Sequence, residues 1–388
     1  MKTGTRTLLI SAFVNNIGGG IFWPFLSLHL YDLGASYVQI ALLDSLSAVM
    51  YITSRAWGAT SDYYGRRKPF IAIGTGVSAI PIFLCGFVNS PSPIIALFMV
   101  SSFFGSVSFP SLLAALTAVE EKGRVIGWFS MLSALGWAAG TFSMGFISES
   151  FGVIGVYATA ATIIALSALI VVFYPRESRR SRDDSLIDYV KGAFSFRFKA
   201  SKEFVWLLIA MFICWFGFQW SGPLLRLRFY DLLQHSKVTL GVVWGVSASV
   251  SGAIVSPLAG RLADKVGGGK MLQVTVLIYA VYTPLFAFVN DPLLFSILWI
   301  VPIWTFNWVA AFSTPAQMTP ESVRGEAMGA LNTATYLGVM LGVLGGVFAD
   351  MFNRELGILI TPLFFAVTWI ALLPLVKFYK NHPIKHGD

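Results

Sequence analysis

Long apolar stretches recur along this chain so densely that little else is left. Twelve of them, at roughly 7–31, 36–60, 69–88, 92–117, 124–149, 152–174, 204–232, 237–263, 270–289, 292–318, 324–350 and 355–378, each supply the ~20 residues a helix needs to cross the hydrocarbon of a bilayer. Of the 388 residues 56% are hydrophobic and only 12% are charged, too apolar a balance for a surface facing water. Lipid offers no hydrogen bonds, so each crossing must satisfy its own backbone. The expected class is an all-α membrane protein with twelve transmembrane helices. An even number of crossings brings both termini to the same side.

The distribution of basic residues selects that side. With both tails and alternate loops placed in the cytosol, 22 of the 27 Lys and Arg fall there, including Lys2, Arg6, Arg66, Arg67, Lys68, Arg124, Arg261, Arg324 and Lys377. Arg226, Arg228, Lys237 and Arg354 fall outside, and Arg55 lies within a span. The chain is therefore expected in the cell membrane, multi-pass, with both termini cytosolic. Its net charge of +8 sits in loops facing anionic lipid headgroups, and calls for no nucleic-acid partner. The first apolar stretch is too long for a cleavable signal peptide. Cys85 and Cys214 lie in apolar helix interiors and read as packing residues rather than a disulfide or metal site.

The chain divides in two. Its one long polar internal segment, 175–203, follows six spans and precedes six more, which predicts an N-terminal bundle over 1–174, a cytosolic linker, a C-terminal bundle over 204–378 and a cytosolic tail over 379–388. The linker is expected to be a solvated tether; a helix over 186–194 lying on the membrane surface is the alternative. The halves repeat one another. Pro24 precedes Tyr31-Asp32-Leu33 as Pro223 precedes Tyr230-Asp231-Leu232. Glu120-Glu121-Lys122-Gly123-Arg124 and Glu321-Ser322-Val323-Arg324-Gly325 follow the fourth and tenth spans. After the second span stand Gly58, Asp62, Gly65, Arg66 and Arg67; after the eighth stand Gly260, Asp264 and Gly267 at the same spacing. Such agreement points to internal duplication.

These paired loops carry a family resemblance. The first resembles the signature of the major facilitator superfamily, with Tyr63 where a basic residue is usual; the second keeps Leu262, Ala263 and Lys265 but has Gly268 and Gly269 in place of the final basic pair. The resemblance extends over essentially the whole length. It implies two pseudo-symmetric six-helix bundles around a central substrate cavity, alternating access, and a gate formed by the two motifs at the cytosolic mouth. The gate is expected to lean harder on Asp62 and Arg66 than on Asp264.

Charge inside a bilayer is expensive, so an ionisable residue within a span is a functional candidate. Asp44 is the one carboxylate well inside, and it suits a group that picks up and releases protons; holding a neighbouring helix is the competing role. At ~100° per residue, Asp44, Tyr51, Arg55 and Asp62 share one helical face within about 20°. Arg55 is ~16 Å from Asp44 along the axis and needs another partner, either the cytosolic gate or an anionic substrate.

Helices one, four, seven and ten line the cavity in the resembled family. On them stand Asn15, Asn16, Trp23, Phe104, Gln219, Trp220, Asn307 and Trp308, an aromatic wall with a few amides that suits a lipophilic or planar compound. Gly18-Gly19-Gly20 ahead of Pro24 reads as a hinge, whereas Gly136, Gly140, Gly338 and Gly342 read as close helix contacts. His29 and Arg228, each five residues after its proline, are expected to reach lipid headgroups or an anion at the outer mouth. No nucleotide-binding loop, zinc spacing or nucleophile elbow is present, so neither an enzyme nor a cofactor is expected. The expectation is a monomeric, proton-coupled secondary transporter of a small organic compound, leaning to efflux. Uptake of a sugar or organic anion, and a non-transporting sensor or lipid-handling protein on the same scaffold, remain the alternatives.

Overall fold

The computed structural model describes residues 3–118, 122–175, 177, 185–193, 200–320 and 323–375. Lys2, Glu120, Glu121, most of the linker and the tail over 379–388 lie outside them. Among the described residues every regular element is helical. The first half comprises α1 (Thr3–Asp32), α2 (Tyr37–Tyr64), α3 (Lys68–Cys85), α4 (Pro91–Thr117) and α5 (Lys122–Val171), followed by the short α6 (Leu186–Ala193). The second comprises α7 (Lys202–Leu232), α8 (Lys237–Ser249), α9 (Ser256–Val266), α10 (Gly268–Tyr282), α11 (Leu285–Phe288), α12 (Pro292–Ile300), α13 (Ile303–Met318), α14 (Arg324–Leu341), α15 (Leu344–Met351) and α16 (Arg354–Ala371).

Ten stretches of these helices are long and apolar enough to cross a membrane. One of them, α5, has 50 residues, about 75 Å at 1.5 Å per residue and enough to cross twice. It breaks at Gly152, whose φ of 66° favours glycine, and so supplies two crossings. The remaining crossing is residues 237–266. There α8 and α9 are joined by a π-helical turn, Val250–Val255, just ahead of Pro257, whose missing N–H removes a bond from the helical ladder. The Ser256 hydroxyl donates to the Ser251 carbonyl across that turn. With twelve crossings, the protein is an integral membrane protein.

The helix ends follow local chemistry. Ser201, Asp291 and Asn353 accept from the backbone N–H three residues on and so start α7, α12 and α16. Ser185 and Asp188 cap α6 reciprocally, and its Tyr189 packs at 5.8 Å on Tyr63. Residues 186–193 of the linker are helical, and residue 194 lies outside the described region. Many hydroxyls within the spans fold back onto their own helices, as Ser47 does to the Leu43 carbonyl and Thr368 to that of Phe364, which satisfies a donor in an apolar surrounding. Phe151, Phe173, Leu293 and Met351 lie exposed, as a lipid-facing surface requires.

Two compact units result. They follow the halves of the sequence except that residues 36–48, the start of α2, cluster with the second unit, and residues 236–249 with the first. In the first unit α1 lies against α5 through glycines on both helices. A Cβ on Gly140 would stand 2.1 Å from the Ile17 carbonyl oxygen, one on Gly20 2.4 Å from that of Trp137, and one on Gly136 2.5 Å from that of Phe13. Helix α1 runs unbroken through Gly18, Gly19 and Gly20. The triplet is therefore used for close packing here, against the expectation of a hinge. The second unit repeats the device. Gly338 on α14 meets the Phe212 carbonyl of α7. Its core gathers Phe204, Leu207, Met211, Cys214, Leu272, Leu331 and Phe365. Cys85 and Cys214 are buried free thiols, as read from sequence.

Candidate functional site

Asp44 lies in the part of α2 that belongs to the second unit, and that part is held firmly. The backbone N–H groups of Tyr37 and Val38 donate to the two carboxylate oxygens of Asp350 at 2.8 and 2.9 Å, so an acid on α15 caps the start of α2. Ser45 donates to the Val339 carbonyl of α14 at 3.3 Å. Fixed in this way, Asp44 turns its carboxylate to α7. Gln219 Nε2 donates to Asp44 Oδ2 at 2.9 Å, and Arg226 Nη2 stands 3.6 Å from the same oxygen. The Arg226 and Asp44 side chains are 16% and 13% exposed, so the pair is largely removed from solvent. Gln219 and Arg226 are seven residues apart, about two helical turns, and therefore share a face of α7.

Arg226 corrects the sequence reading, which assigned it to an exterior surface. The signal was present: it falls inside the seventh apolar stretch, where a cation needs a counter-charge. Which acid would supply one could not be read without the relative rotation of α2 and α7. Arg55, three turns farther along α2, belongs to the other packing unit.

The paired motifs are built for local closure. Asp62 and Arg67 form an ion pair at 3.3 Å, and Arg67 Nη1 donates to the Ala114 carbonyl at 3.0 Å. Backbone N–H groups of Arg67 and Lys68 donate to Glu177 Oε2, and Lys68 Nζ donates to the carbonyls of Val172 and Tyr174. Gly65 and Gly267 have φ of 62° and 94°, where a side chain would be strained. Gly58 lies against Pro110, whereas nothing stands within 4 Å of a Cβ on Gly260. In the second motif Gln317 Oε1 accepts from the Gly268 N–H at 2.9 Å, whereas the matching Arg66 N–H donates to the Ser61 carbonyl. A Cβ on Gly268 would come within 2.5 Å of Ser313 Oγ, so the large side chain found at the matching Arg66 has no room there. Asp62 pairs with Arg67 rather than with Arg66, which is exposed, as is Asp264.

Of the amides expected to face a substrate, only Gln219 joins Asp44. Asn307 is 1% exposed and donates to Thr275 Oγ1, tying α13 to α10. Trp220 donates its indole N–H to the Gly357 carbonyl and packs on Phe364 and Phe348. Both are packing residues, against expectation, because a polar atom at that depth is stabilised by the nearest free carbonyl or hydroxyl. In the first unit Asn16 donates to the Ala12 carbonyl, Asn15 accepts from Ser167, Trp23 packs on Phe98, and Phe104 on Phe103. Trp308 remains half-open at 42% exposure and lies 5.7 Å from Trp304. Both rings are T-shaped to Trp215, at 5.6 and 5.3 Å.

His29 and Arg228 do not reach headgroups either. His29 is 4% exposed and shares a 2.8 Å hydrogen bond with the Tyr157 hydroxyl. Arg228 is 7% exposed; it pairs with Glu355 at 3.0 Å and donates to Asn290 and to the carbonyls of Phe286, Ala287 and Val289. Lys237 and Arg354, also read as exterior, pair with the repeat-related Asp32 and Asp231.

Comparison with known proteins agrees with this architecture. The family model described as Major Facilitator Superfamily matches residues 8–343 and matches again over 207–387, the second half. The chain is 24% identical to the multi-drug resistance efflux pump PmrA of Streptococcus pneumoniae, over 97% of this chain and 96% of that one. It is 28% identical to YuxJ, an uncharacterized MFS-type transporter of Bacillus subtilis, over 89% and 93% of the two chains. In fold it resembles the nucleoside transporter NupG, with a TM-score of 0.76 at 14% identity, over 97% of this chain and 100% of that one.

Proposed function

The chain belongs to the Major Facilitator Superfamily and is a transporter rather than an enzyme, and from that premise we propose that it exports a small lipophilic or amphipathic compound in exchange for protons, by alternating access, with Asp44 as the proton site. The observation that carries this is the placement of the one carboxylate deep in a span against Arg226 and Gln219. Deprotonated, Asp44 is held by the guanidinium; a proton on it cancels the charge that holds the pair and weakens the contact of α2 with α7, leaving the neutral hydrogen bond from Gln219. A group whose charge state sets the contact of two helices couples proton binding to conformation. The likeness to a multi-drug efflux pump supports the export direction.

Purified protein in proteoliposomes with an imposed pH gradient tests this. Asp44→Asn is expected to abolish uphill movement of a lipophilic dye while retaining downhill counterflow, because the site stays neutral through the cycle. Uphill transport by Asp44→Asn equal to that of the parent would remove the proton assignment.

The distribution of Lys and Arg supports an orientation with both termini in the cytosol. A C-terminal green fluorescent protein fusion is accordingly expected to fluoresce, and a C-terminal alkaline phosphatase fusion to be inactive. The reverse pattern would overturn the orientation. The transporter is taken to act as a monomer, in contact with lipid and with a small-molecule substrate.

A further inference from the structure

Helix α2 begins with a cap of its own. Ser36 Oγ accepts from the Gln39 N–H at 3.3 Å and Gln39 Oε1 accepts from the Ser36 N–H at 3.0 Å, a reciprocal pair that satisfies two free donors. The two amides between them, on Tyr37 and Val38, go instead to the carboxylate of Asp350, 312 residues beyond Val38. Backbone closes in beside it. A Cβ on Gly346, one helical turn before Asp350, would stand 2.6 Å from the Tyr37 carbonyl oxygen and 2.8 Å from Val38 Cα. Helix α15 thus offers α2 a flat seat and an acid to hold it there.

The segment held in this way is a visitor. Residues 36–48 cluster with the second unit, whereas those before and after them cluster with the first. Asp44 and Ser45 belong to the same segment, and Ser45 is 4% exposed where it donates to the Val339 carbonyl. The repeat-related end is fastened by different chemistry. Gly145 of α5 seats Lys237 and Val238 at the start of α8, and there the Lys237 side chain makes the tie, 2.6 Å from Asp32 and over the Phe25 ring. The acid one turn after that seat is Glu149, the repeat mate of Asp350. One visiting segment is held by an ion pair, the other by a carboxylate on a helix N-terminus.

We propose that Asp350 is a latch on α2 and, through it, a positioning residue for Asp44. While the carboxylate holds the two amides, residues 36–48 stay on α14 and α15 and Asp44 stays against α7. Release leaves α2 capped by Ser36 and Gln39, so the segment lifts as an intact helix and does not fray. Asp350 is exposed, and water takes up its oxygens when the latch opens, which makes the step reversible. The proposal rests on the alternating-access reading above, and it uses a residue that the proton site does not.

The test is the rate at which a polar maleimide labels Ser45→Cys, a near-isosteric reporter, in the full chain purified in detergent. Labelling reads how often the segment lifts. Asp350→Ala is expected to raise the rate about tenfold, the effect of removing a charged helix cap, and Asp350→Asn, which keeps one acceptor oxygen, about threefold. Glu149→Ala should match the parent. The native Cys85 and Cys214 are fully buried and report unfolding, so they should stay unlabelled throughout. If Asp350→Ala exposes them, the milder Asp350→Asn carries the test. Positioning is read by combining Asp350→Ala with Asp44→Asn: the joint rise should fall short of the product of the two single effects, because an unlatched segment no longer holds Asp44 in place. A full product would reject the positioning role. Parent-level labelling in both Asp350 variants, or an equal rise in Glu149→Ala, would overturn the latch. Faster labelling in Asp350→Ala with no proton-driven transport by the parent would keep the latch and reject the exporter reading. Unchanged labelling, with uphill transport lost in Asp44→Asn, would do the opposite.

Discussion

Replacing Gly140 with alanine is expected to lower stability by about 3 kcal/mol, near the upper end of what a single added methyl does to a well-packed core. The added Cβ would stand 2.1 Å from the Ile17 oxygen, 2.9 Å from the Ile21 nitrogen and 3.0 Å from the Gly20 carbonyl carbon. All three are backbone atoms of α1, so no side chain can rotate away and the two helices must separate by more than 1 Å to restore a contact distance of about 3.3 Å. Gly20 and Gly136 lie in the same seam, and both lose their close contacts when it opens. A thermal melt of the purified protein, followed by size-exclusion chromatography, reads the effect. Gly127→Ala on the same helix is the control: nothing stands within 4 Å of its Cβ, so it should match the parent or gain up to about 1 kcal/mol in helix propensity. Equal melts for Gly140→Ala and Gly127→Ala would show that α1 and α5 are not packed as described.

Arg228→Met is expected to cost about 3 kcal/mol, and Glu355→Gln about 1 kcal/mol, although the two residues are partners. The asymmetry follows from who else each one touches. Removing the guanidinium strands the carbonyls of Phe286, Ala287 and Val289 and the amide oxygen of Asn290. Glu355 loses less, because its side chain is 42% exposed and also pairs with Arg354 at 3.2 Å. Neutralising Glu355 leaves Arg228 with four neutral acceptors, so the buried cation is never bare. Thermal melts of the two single variants check the order. A larger loss for Glu355→Gln would show that the ion pair, and not the carbonyl cluster, holds the guanidinium.

The gross design was legible because it is written in lengths and repeats. Span length is set by bilayer thickness divided by helix rise, so apolar stretches could be counted directly. The Gly136 and Gly140 seam was legible for a similar reason: small residues four apart mark one helical face and leave room for a neighbour. The same logic misled at Gly18, Gly19 and Gly20, where flexibility and close packing demand the same residue. Polar residues were least legible. Asn307, Trp220, His29 and Arg228 all looked like ligands or anchors from their type, and each is bound to a partner elsewhere in its own unit. Nothing local distinguishes an amide facing a substrate from one facing Thr275.

By itself, then, the sequence determined the twelve crossings, the duplication, the family and the singularity of Asp44, because apolar length, periodic spacing and the rarity of charge in lipid are properties of a line of residues. Only the tertiary structure decided that Asp44 meets Arg226 and Gln219, that α2 begins on Asp350, and that Arg228 is locked among carbonyls. A counter-ion 182 residues away is chosen by the rotation and depth of two packed helices, and those are set by the side chains between them, not by either helix alone.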